Sequence, residues 1–439
     1  MLLYFYFASS FFAHYHPDMK TLHFINAQLP SGEHSLLVEG DKIVALNPVT
    51  VPDDAEVLDC NNKWLIPGGV DVHTHFGMPL RDGITSTSWR ESGKQALLGG
   101  TTAVVDFANP KSGEPLADAV DRWHNYASDT VVDYGLHVTI SDPSDERLAK
   151  IPALIESGLP TFKGFLAYKN RLMLSEEELE KVMIAVRDAG GKLLVHCEDG
   201  ELNEKCQNEL IEAGKTAPKY HPQAHLPESE ASTIASLVKM QEKTGCPTVV
   251  VHLSTERGLD HLVHTPIERE VCAQHLLLED SIYKTDDAIH AICSPPLRSK
   301  KDMKAMQSGL TAGQIHWIAT DHCEFPLEIK KQEAKKGFHN IPNGIAGVEQ
   351  RLLMVWMMMV KPGKLTAMEW VELCCTEPAD RCGLSGIKGD LAPGYDADIV
   401  LFDPDIEAIT NVWLRGELAV ENGELVSDLP AGKFLQRQL

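Results

Sequence analysis

The chain has 439 residues, of which 43% are hydrophobic and 23% charged, and its formal net charge is −23. These proportions are ordinary for a soluble globular protein, and the length allows one large domain with a small one beside it. Nucleic-acid binding relies on clustered Lys and Arg side chains, so a chain this acidic is predicted to bind neither nucleic acid nor a membrane surface. The ten cysteines show no CxxC spacing. They predict reduced thiols in a cytoplasmic protein, because disulfide frameworks belong mainly to small secreted domains.

The chain opens on an apolar, aromatic stretch, MLLYFYFASSFFAHYHPD. It lacks the basic start and the small-residue cleavage site of a secretory signal, and it is too short for a membrane span. We predict that Met19 is the natural start and that residues 1–18 are a non-native or disordered extension. A cleaved signal is the alternative.

Short strand-like runs follow at 20–66: TLHFINAQL, GEHSLLVEG, KIVALN and AEVLDC. A similar set returns near the far end, as ADIVLFD, ITNVWLRG and LAVENGELV. Strand runs on both sides of a long middle predict one small β-sandwich domain, residues 19–66 and 385–430, formed from both termini.

The middle of the chain alternates apolar runs with stretches of helical period such as SEEELEKVMIAVRDAG (175–190). Near-continuous apolar runs are typical of buried parallel strands. Eight strand–helix units predict an α/β fold, a TIM-like (β/α)8 barrel over residues 67–384, with its active site at the C-terminal strand ends. The predicted strands are 69–76, 101–108, 134–140, 161–168, 192–199, 247–254, 269–276 and 315–322.

Ionisable side chains lie in these runs, mostly where the strands are predicted to end: His73, His75, Lys163, His196, His252 and Asp321. Side chains at i and i+2 share a strand face, so both histidines of DVHTHF can point inward. Each residue alone has a structural explanation, as a hydrogen-bonded core histidine, a surface lysine or a helix N-cap. Six separate structural explanations of this kind in one barrel are improbable together. Because imidazoles and carboxylates suit Zn²⁺, we predict a metal site.

Lys163 is the hardest of the six to explain as a ligand, since an ammonium group cannot bind a metal. Burial among cations lowers a lysine pKa and exposes the neutral amine. A neutral amine can react with CO₂ to give a carbamate, whose two oxygens could bridge two metals about 3.5–4 Å apart.

Six segments in this order resemble the amidohydrolase superfamily in its cyclic-amidase branch: DVHTHF, TFKGFLAYK, LLVHCED, VVVHLST, CSPPLR and ATDHCEF. IPNGIAGVEQR (341–351) and GIKGDLAPGYDADIVLFDP (386–404) are similar to the dihydropyrimidinase/hydantoinase family in particular. The resemblance covers nearly all of residues 20–425. It implies a hydrolase that opens the cyclic amide bond of dihydropyrimidines or hydantoins.

The resemblance also implies the cofactors: two Zn²⁺ ions per subunit, or another divalent metal, bridged by a CO₂-derived carbamate on Lys163. A hydroxide between the two ions would be the nucleophile. The implied ligands are His73, His75 and Asp321 for the more buried ion, and His196 and His252 for the second ion.

The remaining implied roles concern the substrate. Asp321 would take the proton of the hydroxide and pass it to the leaving ring nitrogen. Tyr168 would bind substrate and stabilise the oxyanion that develops on it. Ser294 and Asn343 would hold the –CO–NH–CO– edge of the ring, although a Ser before Pro-Pro and an Asn in a PNG turn also have turn explanations.

Three alternatives remain open. EVCAQHLLLED resembles dihydroorotase, but that family reads its substrate carboxylate with an Arg two residues after the second His, where this chain has Gly77. A buried carboxylate without this Arg would be poorly paired. Allantoinase fits CSPPLR and VHLS but shares the IPNG segment less closely. A non-catalytic dihydropyrimidinase-like scaffold would have lost metal ligands, and this chain keeps every one.

The predicted partners are a small-molecule cyclic amide and further copies of the chain, as a dimer or tetramer. The family usually carries a longer insert with a His-His pair after VLFDP, and that region contributes to tetramer contacts. This chain runs straight into DIEAITNVWLRGELAV instead. The shorter segment puts assembly as a tetramer in doubt.

Overall fold

Eight parallel strands form a nearly closed barrel and follow one another in sequence order around the sheet. The computed structural model describes residues 20–81, 83–169 and 171–439, so the predicted extension 1–18 lies outside the described residues. An isolated parallel bridge from Thr74 to His322 links the end of the first strand to the segment after the eighth. The predicted TIM-like barrel is confirmed. Its strands are Gly69–Thr74, Thr101–Ala108, Asp133–Thr139, Thr161–Phe165, Lys192–His196, Thr248–Val250, Glu268–Cys272 and Trp317–Ala319.

Several barrel strands are shorter than the sequence predicts. The sixth ends at Val250, because His252 has a φ of 40°, which a strand cannot continue. The prediction that the seventh runs to residue 276 is wrong: Ala273–Leu277 is a helix. All five of its residues are buried, so the apolar run does not reveal the change from strand to helix.

Helices surround the barrel. The helix predicted at 175–190 is present as Glu176–Asp188, and Ser175 and Glu178 form a capping box at its start. In the described ranges no helix is long and apolar enough to cross a membrane. The other α-helices are Trp89–Leu98, Leu116–Tyr126, Asp145–Leu148, Ile151–Glu156, Gly200–Glu212, His221–Ala224, Pro227–Thr244, Glu256–Leu262, Ala273–Leu277, Lys300–Thr311, Leu327–Ala334, Arg351–Val355, Ala367–Val371 and Glu377–Arg381. Short 3₁₀ turns lie at Pro218–Tyr220, Asp280–Lys284, Asp286–Ile289 and Phe338–Asn340, and π-helical turns at Trp356–Val360 and Glu372–Thr376.

Two further sheets form the predicted small β sandwich. One has the spatial order Lys42–Leu46, Leu36–Glu39, Thr21–Ile25, Glu56–Asp59, and the other Glu424–Leu425, Glu417–Glu421, Ala408–Leu414, Ile399–Asp403, Trp64–Pro67. The second sheet contains strands from both chain ends, as predicted. Phe24 and Trp413 pack edge to face between the sheets, with ring centroids 4.9 Å apart. A separate hairpin pairs Pro79–Arg81 with Ile84–Thr85. The residue limits of the domains stay a prediction.

A buried ion cluster joins the barrel to this β region. Lys388 Nζ donates to Asp133 Oδ2 at 2.7 Å and to Asp398 Oδ2 at 2.8 Å, and it lies 2.9 Å from Asp396 Oδ2. Asp133 opens the third barrel strand, and Arg415 pairs with its other oxygen. One lysine thus holds three carboxylates from two parts of the fold.

Candidate metal centre and substrate cleft

The six predicted metal ligands gather at the C-terminal mouth of the barrel. His73 lies in the first strand and His75 just beyond it, Lys163 lies in the fourth, and His196 ends the fifth. His252 and Asp321 each follow a strand by two residues. Shorter strands therefore move part of the predicted site into the loops, without separating its members.

His73, His75 and Asp321 form the tightest group. Asp321 Oδ1 lies 3.2 Å from His73 Nε2 and 2.9 Å from His75 Nε2. Burial on its own would raise the pKa of Asp321, but the two histidines hold it well below its ordinary value. Their donor atoms all lie within 4.8 Å of one another. Two imidazole nitrogens and a carboxylate oxygen that converge in this way fit the donor set of a divalent metal ion.

Lys163, His196 and His252 complete the cluster. The His252 ring centroid lies 4.5 Å from that of His196 and 5.4 Å from that of His73. Lys163 is 1% exposed, and its Nζ lies 5.1 Å from the ring centroids of both Phe107 and Phe165. Burial lowers the Lys163 pKa to about 8, against the opposing effect of nearby acidic groups.

Three site residues have left-handed backbone conformations. The φ angles of Tyr168, His252 and Asp321 are 64°, 40° and 52°. Non-glycine residues rarely occupy this region, and such strain clusters at functional sites where the surrounding structure holds it. Each residue follows a barrel strand, so the left-handed conformations lie in the loops at the C-terminal strand ends.

Glu270 supports the first group and is not among the site residues that the sequence predicts. Its Oε1 accepts from His73 Nδ1 at 2.6 Å and from the His252 backbone N–H at 3.1 Å. Its Oε2 accepts from Trp317 Nε1 at 3.0 Å. Because Nδ1 of His73 donates to Glu270, Nε2 is the nitrogen that faces Asp321.

Glu198 supports the second group in the same way. Its Oε2 accepts from His196 Nε2 at 2.8 Å, which leaves Nδ1 of that ring for a ligand. Its Oε1 accepts from His225 Nδ1 at 3.0 Å. The two histidines hold the pKa of Glu198 well below its ordinary value, although burial alone would raise it.

Two buried aspartates fix the DVHTHF segment. Asp71 accepts from the hydroxyl of Thr320 at 2.6 Å, which ties the residue before Asp321 to the first strand. Asp106 accepts from the Phe76 N–H at 2.7 Å and from the Thr74 hydroxyl at 3.0 Å. The outer acids Asp71, Asp106, Glu198 and Glu270 share one sequence signal, an acidic residue within or directly after an apolar strand run.

The three predicted substrate residues also lie together. Asn343 Nδ2 donates to Ser294 Oγ at 2.8 Å. Burial raises the pKa of Tyr168, and a hydrogen bond with the Ser294 side chain acts in the opposite direction. The Tyr168 ring centroid lies 5.2 Å from that of His196. Tyr168 therefore borders the cluster of predicted ligands, and hydrogen bonds link it to Ser294 and through Ser294 to Asn343.

Comparisons with known proteins match most of the chain. The amidohydrolase family profile matches residues 64–430. A D-hydantoinase of Geobacillus stearothermophilus is 32% identical over 423 residues, covering 92% of this chain and 90% of that protein. A D-phenylhydantoinase of Escherichia coli O81 is 34% identical over 439 residues, with 92% and 95% covered. The crystal structure of a dihydropyrimidinase from Brevibacillus agri has a TM-score of 0.91 at 29% identity, with 95% and 99% covered.

Proposed function

Because this chain belongs to the amidohydrolase family, in its dihydropyrimidinase/hydantoinase branch, we propose that it hydrolyses the ring amide bond of dihydropyrimidines or hydantoins. The observation that carries the proposal is the convergence of two imidazole nitrogens on one Asp321 oxygen at the barrel mouth, with Lys163 buried beside them. The family implies a divalent metal centre, and the donor set fits one.

Two zinc ions are the proposed occupants. His73, His75 and Asp321 would hold the first, and His196 and His252 the second. The Lys163 amine would attack CO₂, release a proton to solvent and hold both ions through the resulting carbamate. Bound there, the ions would lower the pKa of a water molecule and polarise the substrate carbonyl.

Asp321 and Tyr168 would supply the proton chemistry. The depressed pKa of Asp321 keeps it ionised near neutral pH, so it can accept a proton and return it to the ring nitrogen that leaves. Burial raises the pKa of Tyr168, which keeps its hydroxyl protonated and able to donate to the carbonyl oxygen as negative charge develops there.

Ser294 and Asn343 would bind the imide edge of the ring. Across the described ranges, the backbone groups of neither residue take part in a backbone–backbone hydrogen bond. Their N–H and C=O groups are thus available to a substrate that offers alternating carbonyls and N–H. These backbone groups discriminate between ligands, because a ligand without matching carbonyl and N–H groups would leave them unpaired.

Position 77 disfavours the dihydroorotase alternative. Gly77 has a φ of 58°, and a Cβ there would lie 3.0 Å from Trp89 Cδ1. A side chain at this position would be strained in its backbone and crowded by the indole. Position 77 therefore supplies no cation to pair with the carboxylate of a dihydroorotate ring.

A substrate panel tests the proposal. The zinc-loaded protein would be assayed with dihydrouracil, hydantoin, 5-substituted hydantoins, dihydroorotate and allantoin, with ring opening followed by product analysis. We expect turnover of a dihydropyrimidine or a hydantoin. Preferred turnover of dihydroorotate or allantoin would favour those alternatives, and no turnover by metal-replete protein would favour the scaffold alternative. Assembly as a dimer or tetramer and a cytoplasmic location stay predictions.

A further inference from the structure

The segment that carries Ser294 is held on both sides by buried histidines. His221 Nε2 donates to the carbonyl of Cys293 at 2.7 Å, and His275 Nε2 donates to the carbonyl of Pro295 at 2.9 Å. The two histidines are 2% and 3% exposed. The carbonyls directly before and after Ser294 are thus fixed by side chains from other parts of the chain.

The segment that carries Asn343 is held in a similar way. Lys330 Nζ donates to the carbonyl of Gly344 at 2.6 Å and is 4% exposed. The Gly344 N–H donates to the carbonyl of Ile292 at 2.8 Å, and Asn343 Nδ2 donates to Ser294 Oγ at 2.8 Å. These bonds join the two segments to each other as well as to the scaffold.

The three donors come from separate elements: helix His221–Ala224, helix Ala273–Leu277 and helix Leu327–Ala334. Burial lowers the pKa of His221 to about 3 and that of His275 to about 4, and it lowers the pKa of Lys330 as well. A neutral imidazole has a single N–H, and a carbonyl only accepts, so the proton of each histidine is on Nε2.

Burying three such side chains is costly unless their hydrogen bonds serve the fold or the site. A leucine or methionine of similar size would fill the same space without donating. Each observed donor instead binds a carbonyl next to Ser294 or Asn343. None of the three is among the proposed metal ligands, so their contribution is separable from metal binding.

We infer that His221, His275 and Lys330 form a carbonyl clamp that sets the distance between the Ser294 and Asn343 backbones and so determines how tightly the –CO–NH–CO– edge of the ring is bound. The inference rests on the proposed function and deepens it by naming positioning residues for substrate affinity. Preorganised polar groups improve binding because a ligand need not order them. The clamp acts through the two segments and does not touch substrate.

Paired variants separate donation from packing. His275→Leu and Lys330→Met remove the donor, whereas His275→Gln and Lys330→Arg keep one. In the zinc-loaded full-length enzyme, we expect the Leu and Met variants to raise KM about tenfold, the factor that 1.4 kcal/mol of binding free energy represents. The kcat of these two variants should change less than about threefold, and their zinc content should equal that of the parent enzyme. His275→Gln and Lys330→Arg should keep most of the substrate affinity of the parent enzyme.

His316→Leu is the matched control. This histidine is at the opposite end of the barrel, where its Nδ1 accepts from the Arg269 N–H at 2.9 Å, and its loss should leave KM unchanged. If His275→Leu does not fold, His275→Asn takes its place. The Asn side chain is one carbon shorter than that of Gln, so its amide does not reach the Pro295 carbonyl.

Two results would overturn the inference while the proposed function stands. The first is an unchanged KM in folded His275→Leu and Lys330→Met, and the second is a Gln or Arg variant as impaired as its apolar counterpart. In the first case, a parallel loss of zinc and kcat would assign these residues a structural role only. No turnover by the parent enzyme would remove the proposed function, and this inference with it.

Discussion

Lys163 lies at the centre of the site, and its surroundings explain why a lysine is present among histidines. Its amine packs between the rings of Phe107 and Phe165 and is nearly inaccessible to solvent. Burial of an ammonium group favours the neutral amine, and the lowered pKa of about 8 reflects this. Two acids near it, Glu270 and Asp321, limit the shift. A neutral amine in this position is chemically able to form the proposed carbamate.

Lys163→Ala should remove metal and activity together, because the group proposed to hold both ions is lost. Zinc per chain, measured by elemental analysis, should fall below half of the parent value as turnover falls by about 10²-fold or more. Lys243→Ala is the control, since that side chain is two-thirds exposed and pairs with Glu180 at the surface. A fully active, metal-replete Lys163→Ala enzyme would rule out the carbamate.

Asp321→Asn should separate chemistry from folding. Asparagine has nearly the same shape but cannot accept a proton, so kcat should fall about 10²–10⁴-fold. Thermal unfolding in the zinc-loaded state should show that the variant still folds. Turnover within a few-fold of the parent enzyme would remove Asp321 from the proton relay.

At the level of elements, the barrel strands end early, so part of the proposed metal site lies in loops whose backbone conformation is fixed. The seventh strand, Glu268–Cys272, contributes no proposed metal ligand, yet its Glu270 contacts three neighbours. It binds the His73 ring, the His252 backbone and the Trp317 indole, which belong to the first strand, the loop after the sixth and the eighth strand. One buried carboxylate thus aligns the histidines of both proposed ions.

Glu270→Gln tests this alignment. An amide can still accept from His73 Nδ1 but without charge, so the imidazole becomes a weaker ligand. We expect zinc affinity, measured by competition with a chromophoric chelator, to fall about 10–100-fold. Glu324→Gln is a suitable control, because that carboxylate binds Thr87 and Gln95 instead of a metal ligand. Unchanged affinity in Glu270→Gln would show that the carboxylate only supports packing.

The sequence reveals the barrel and the cluster of ligands because both repeat a pattern. An apolar run followed by a polar residue recurs along the chain, and His73, His196 and Asp321 share that position. Glu270 lies inside a strand run as Asp71 and Asp106 do, but the pattern does not show what it contacts, because its three partners are distant in sequence. The helix Ala273–Leu277 was misread because complete burial looks the same in strand and helix.

At the scale of the whole molecule, segments from both halves of the described chain pack against the barrel. Strand Trp64–Pro67 comes directly before the first barrel strand. It pairs with strand Ile399–Asp403 in one sheet of the β region. The last residues pass beneath the barrel, where Arg437 is fully buried and donates to Cys382 O at 3.0 Å and Thr161 Oγ1 at 2.8 Å. The C-terminal segment therefore stabilises the end of the barrel opposite the proposed metal site.

Lys388→Met should loosen the link between barrel and β region. It leaves Asp133, Asp396 and Asp398 buried without their shared cation, a loss typically costing about 3–5 kcal/mol of unfolding free energy. Urea unfolding would measure it. Lys42→Met is the control, because Lys42 pairs with Asp396 from a half-exposed position, where an ion pair contributes about 0–1 kcal/mol. Equal stability of the two variants would contradict the role assigned to the cluster.

A zinc titration of metal-free enzyme in bicarbonate buffer tests the proposed binuclear centre directly, with ring opening of dihydrouracil or hydantoin as the readout. We expect activity to rise with added zinc and to reach its plateau near two equivalents per chain. A plateau at one equivalent would contradict a binuclear centre. Full activity without metal, or no ring opening at two bound equivalents, would contradict the proposed metal-dependent cyclic amidase.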